Sequence, residues 1–105
     1  MRMYKSQGDV NFVPVDKLPK RARKRTHWDG VIVRGEKTGH HHSVLEVAEC
    51  ERYDLGEEMF LVVSERGISN VHQEHDTVSL EPGVWKIHQD QAFDYSSRAI
   101  RKVAD

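Results

Sequence analysis

The chain has 105 residues, 37% of them hydrophobic and 31% charged, with one cysteine and a formal net charge of −1. That length suits one domain rather than two, and the polar balance leaves a thin core of the two-layer kind. No window approaches the roughly 20 apolar residues of a membrane helix, residues 1–10 lack a secretory leader's apolar run, and Cys50 has no internal disulfide partner, so the expected setting is a reducing cytoplasm.

Taken in chain order, Gly8-Asp9 reads as a turn opening a first strand that runs to Val15, with Pro14 marking an edge or a strand end. Residues 17–29 break the pattern. Lys17, Lys20, Arg21, Arg23, Lys24 and Arg25 crowd around Pro19, which predicts a basic loop with at most a short helical turn. Val31 to Arg34, a polar turn over 35–39 and a strand over 40–47 predict a hairpin. Strand alternation puts His40, His42, Val44 and Glu46 on one face and His41, Ser43, Leu45 and Val47 on the other.

Met59 to Ser64 is the most apolar run and the expected central strand. Gly67 turns the chain into a strand over 68–72. Glu81-Pro82-Gly83 reads as a turn within a last strand pair, resumed by Val84, Trp85 and Ile87. The tail 94–105 reads as one short helix capped at Ser96 or Ser97, or as a frayed end. The sum is a single mostly-β domain over 1–105, a β-sandwich or barrel of about seven short strands. Trp28, Trp85, Phe12, Phe60 and Phe93 are expected in packing roles. Cys50, flanked by Glu49 and Glu51, is a poor nucleophile.

Seven histidines stand out, against about two or three at average usage. His40 and His42 on one strand face place two imidazoles roughly 7 Å apart, within reach of one metal ion. The second cluster is His72-Gln73-Glu74-His75. In a straight strand His72 and Glu74 share a face and His75 points away, so all three converge only over a bulge or turn. If the clusters meet, His40, His42, His72 and His75 form a site for a divalent transition metal, zinc being the best fit. An open coordination position would allow a metal-dependent hydrolase acting on a phosphoester, with Glu74 as the proton acceptor. The alternative is a polar hairpin end whose histidines are merely solvated.

Charge is unevenly spread: residues 1–40 hold 10 Lys+Arg against 4 Asp+Glu, and residues 41–105 hold 6 against 13. A basic and an acidic face suit a polyanion or a second copy of the chain in a homo-oligomer. Lys20, Arg21, Arg23, Lys24 and Arg25 are the candidate nucleic-acid contacts, with His27 and Trp28 placed to stack on bases. A non-enzymatic module using loop 17–26 to bind nucleic acid or a host protein is therefore the competing expectation.

The ordered set Gly8-Asp9-Val10, Thr38-Gly39-His40-x-His42, His72-x-Glu74-His75 and Leu80-x-Pro82-Gly83 resembles a group of small, uncharacterised bacterial and phage proteins. The resemblance spans most of the chain and implies a site of His40, His42, His72, Glu74 and His75, with His41 outside the fixed positions. It implies no particular activity. Separately, His41-x-Ser43-Val44 and His75-x-Thr77-Val78 resemble the paired motifs of the 2H phosphoesterases, whose bilobal domains are considerably longer than this chain.

Overall fold

The structure is a computed structural model that describes residues 2–34, 41–89, 91–94 and 99–102. Its strands are β1 (Lys5–Gln7), β2 (Val10–Val15), β3 (Arg23–Lys24), β4 (Val31–Arg34), β5 (His41–Val44), β6 (Cys50–Leu55), β7 (Glu58–Val63), β8 (Ile68–Val71), β9 (Val78–Leu80), β10 (Gly83–Gln89), β11 (Gln91–Asp94) and β12 (Ala99–Lys102). A single 3-10 turn, Val47–Glu49, precedes β6. The mostly-β architecture read from the sequence is what the chain adopts.

Two antiparallel sheets face each other. One has six strands in the order β1-β2-β10-β7-β6-β3, the other four in the order β4-β5-β8-β9. Each contributes its inward residues to one core: Val10, Phe12, Leu61, Val63, Trp85 and Ile87 from the first meet Ile32, Val44, Ile68 and Leu80 from the second. Period-2 alternation explains the assignment, since side chains on successive strand residues point to opposite faces. Met59 to Ser64 supplies the strand at the centre of the larger sheet, with β7 between β10 and β6. Two strands not resolved by reading the sequence, β1 and β6, are each closed onto their neighbours by two-residue loops whose first member is glycine. These are Gly8 (φ +58) and Gly56 (φ +59). A glycine at that position supplies the positive φ whose twist matches the flanking strands.

Three expectations change. The strands on either side of Glu81-Pro82 do not pair with each other: β9 bonds to β8, while β10 bonds to β2 and β7, so the turn carries the chain between sheets. The tail forms no helix among the described residues. β11 pairs with β12 instead, in a register that sets Phe93 opposite Ile100. In the basic loop, the expected helical turn is a β-turn, Ala22 N–H to Pro19 O at 3.1 Å, followed by the short strand β3 against β6.

The sheets are stitched along one side, where β1 and β9 are outer strands. Lys5 Nζ donates to Ser79 O (2.6 Å) and pairs with Glu81 (2.9 Å). Pro14 lies in the part of β2 beyond its pairing with β1, where the Arg2 guanidinium bonds Val15 O (2.8 Å) and Val84 O (2.6 Å). Elsewhere, Glu46 accepts from Ser69 N–H (2.6 Å) and anchors the end of β5 to β8.

Three carboxyls titrate below their ordinary range: Glu46 through the Ser69 amide, Glu51 through Lys24, and Glu81 through Lys5. A depressed folded-state pKa contributes stability that is complete above the ordinary value of 4.5 and is lost as pH falls through the lower folded value. Thermal melts between pH 5 and pH 3 should therefore fall more steeply for the native chain than for the E46Q/E51Q/E81Q variant. Parallel curves would show that these contacts do not couple to folding.

Candidate functional site

One end of the sandwich is polar inside. Gln7, Asp9, His42, Asn70 and His72 are all buried there. Burying such groups costs free energy unless each is matched, about 1–3 kcal/mol for every donor or acceptor left unsatisfied. Their concentration in a 105-residue chain marks this end as the place to look.

β5 provides the deepest member. Its alternation buries His42 and Val44, which the hairpin pattern sets on one face, and leaves His41 and Ser43 on the other half-covered. A bulge in β4 sits opposite, where Val31 and Val33 pair with Ser43 and His42 and leave Ile32 as the extra residue. His72 and His75 arrive from the other side. β8 ends at Val71, and a bend over 73–75 replaces the straight strand in which His75 would point away. The bend is held by the Glu74 amide, which donates to His72 Nδ1 (3.0 Å).

The two histidine clusters do meet. The ring centroids of His42 and His72 are 4.4 Å apart, those of His72 and His75 4.4 Å, and those of His42 and His75 6.1 Å with the rings nearly parallel. His42 is fully buried, His72 nearly so, and His75 half-exposed at the mouth. Glu74 is exposed, and its main-chain amide reaches the cluster. His40 lies outside the described residues. His41 faces away from His42 and its amide donates to Gln73 Oε1 (2.9 Å), tying β5 to the 72–77 segment.

Gln7 and Asp9 are the residues that sequence reading missed. The Gln7 side-chain amide donates through Nε2 to Asn70 O (2.8 Å) and Asp76 O (2.8 Å). Both partners are carbonyls, so the nitrogen end of the amide is fixed there. Its Oε1, an acceptor, then faces His42 Nδ1 at 2.8 Å. His42 must donate from Nδ1, which in the neutral ring leaves the lone pair on Nε2. Asp9 stands on that side, its Oδ1 3.5 Å from His42 Nε2. The carboxylate is oriented by Gln89, whose Nε2 donates to Oδ2 (2.7 Å). Asp9 Oδ1 and both polar atoms of the Asn70 amide are buried without a hydrogen bond among the described residues.

His72 has the opposite tautomer. Accepting from the Glu74 amide at Nδ1 leaves its proton on Nε2. Among the described residues no group of three or more His, Cys, Asp or Glu side chains is drawn together tightly enough to hold a metal ion in this arrangement. Cys50 stands apart: burial first, then the Glu51 charge, pushes its thiol up to about 12, so it is no nucleophile at neutral pH.

A family model for a domain of unknown function, DUF8820, matches residues 6–90. The chain belongs to this family. The DUF8820 match begins just ahead of Gln7 and ends just past Gln89, so it encloses the whole polar end and stops short of β11. No curated protein and no solved structure matches the chain.

Gly8 ties this site to the backbone. Its φ of +58 suits glycine, and a Cβ there would sit 2.6 Å from His75 Nε2. Gly8→Ala should cost about 1–3 kcal/mol in urea denaturation for the strained backbone. It should also shift the His75 imidazole resonances while leaving those of His41 in place. Unchanged His75 signals would mean that the ring does not pack on this turn.

Proposed function

We propose that this DUF8820 domain binds a divalent transition metal, zinc by preference, through His42, His75 and the Asp9 carboxylate, with His72 completing the set. One observation carries the reading. His42 Nδ1–H is fixed on Gln7, so its Nε2 lone pair and the Asp9 carboxylate, two electron-rich groups, are set 3.5 Å apart inside the protein. A cation between them relieves that opposition. Histidine ligands characteristically donate their other ring N–H to a fixed acceptor, which orients the ring and raises its basicity. Imidazole nitrogens with one carboxylate suit zinc and its neighbours.

His75 is half-exposed at the edge of the cluster, its ring 4.4 Å from that of His72. His72 joins when it gives up the Glu74 amide, because its ligating nitrogen must carry a lone pair rather than a proton. The bound ion would pin the β1–β2 turn, β5 and the β8–β9 connection together, a structural contribution of weight in a thin-cored domain. It would also sit beside His75 at the surface, where a bound water has access. The lone buried thiol fits a reducing compartment.

The test is elemental mass spectrometry and zinc titration calorimetry on untagged protein purified without a nickel column. The native chain should hold about one equivalent. H42A and H75A should lose it, H41A should keep it, and H72A should bind more weakly. Stripping the ion should lower Tm, since a ligand at 100 times its Kd stabilises by about 2.7 kcal/mol. A native chain with no metal and no zinc affinity would end this reading.

A further inference from the structure

The basic stretch is only partly neutralised by the fold. Lys24 pairs with Glu51 (2.7 Å), and Arg25 pairs with Asp54 (2.8 Å), which Arg52 also contacts (3.0 Å). Lys17, Lys20, Arg21 and Arg23 are exposed and make no ion pair among the described residues. The Pro19–Ala22 turn holds Lys20 and Arg21 at its tip. Arg23 follows on β3, an outer strand of the six-stranded sheet.

A groove opens directly beyond them, lined by Arg25, Trp28, Asp29, Val31, Ile32 and Arg52. The Trp28 ring is fixed there because Nε1 donates to Val31 O (2.8 Å). Its exposed neighbour His27 has a φ of 56, an unfavourable conformation for a non-glycine residue. The Arg25 and Arg52 guanidiniums both pair with Asp54, and the Asp29 carboxylate, which accepts from the Val31 amide (3.0 Å), also lines the groove. A phosphate gains little in such a mixed setting. A planar base gains more, from the indole and the guanidinium planes together.

We propose that this face binds single-stranded nucleic acid, with Lys20, Arg21 and Arg23 on phosphates and a base stacked against Trp28 in the groove. Duplex of either kind fits less well, because its bases are already stacked and the groove would stay empty. The acidic partner that a second copy could offer is partly consumed at home: Glu51, Asp54, Glu58 and Glu81 already pair with Lys24, Arg25, Lys86 and Lys5.

The experiment is fluorescence anisotropy of a labelled 12-nucleotide oligo-dT against the full chain in EDTA, with tryptophan emission followed in parallel. Three phosphate contacts give a slope of about −2 in log K against log salt, so affinity should fall about 15-fold between 50 and 200 mM NaCl. The K20A/R21A/R23A variant should bind at least tenfold more weakly and lose most of that slope. Trp28 emission should be quenched on binding, with Trp28→Phe removing the quench and weakening binding severalfold, because the indole platform and its anchor to Val31 O are lost; Trp85, fully buried, contributes no change. Absence of binding at 50 mM salt, equal affinity in the triple variant, or equal affinity for duplex with no quench on the single strand would each overturn the proposal.

Discussion

A single side-chain amide holds the polar end together. Gln7 leaves the six-stranded sheet, donates to main-chain carbonyls of β8 and of the connection after it, and accepts from an imidazole on β5. Three separate segments are thereby fixed by one residue that is itself buried. The amide cannot be turned around without setting its oxygen against two carbonyls. Because its orientation is determined, so is the tautomer of His42, and with it the nitrogen presented to Asp9. The chemistry of the site follows from that one hydrogen-bond geometry.

The arrangement runs against the interest of stability alone. A thin core gains by filling its ends with apolar side chains, yet here it encloses imidazoles, a carboxylate and two amides. The Asn70 amide is fully buried with neither polar atom hydrogen-bonded among the described residues, and Asp9 Oδ1 is in the same condition. Replacing such a cluster with hydrophobic residues of similar volume is often neutral or stabilising. Polar groups concentrated in this way, with a bulge in β4 beside them and a positive-φ glycine packed under His75, are characteristic of functional rather than structural ends.

How far the sequence discloses this can be judged residue by residue. Strand alternation places His42 and Val44 on one face and His41 on the other, because side chains alternate with a period of two; which face is buried is set by the packing of the second sheet. The apolar run at 59–64 marks the centre of the larger sheet for the same reason. His75 is harder, since its direction depends on a bend that the Glu74 amide and the His72 ring make between them. Gln7 and Asp9 are harder still: β1 is three polar-looking residues, and only Gly8-Asp9 between alternating segments signals the two-residue loop that folds them in. The partial quenching of the basic stretch is invisible in sequence, because Glu51 and Asp54 reach Lys24 and Arg25 only through the pairing of β3 with β6. Pro82-Gly83 shows a turn but not that its flanking strands belong to different sheets.

The central claim is that His42 keeps its proton on Nδ1 and its lone pair toward Asp9. Long-range proton–nitrogen correlation spectra of the imidazole rings in uniformly nitrogen-15-labelled, metal-free protein at neutral pH read this directly. The Gln7 amide requires a protonated Nδ1 for His42, and the proposed zinc site predicts an unprotonated Nε2, with Nδ1 unchanged and Nε2 shifted when zinc is added. A proton on Nε2, alone or on both nitrogens, would contradict it.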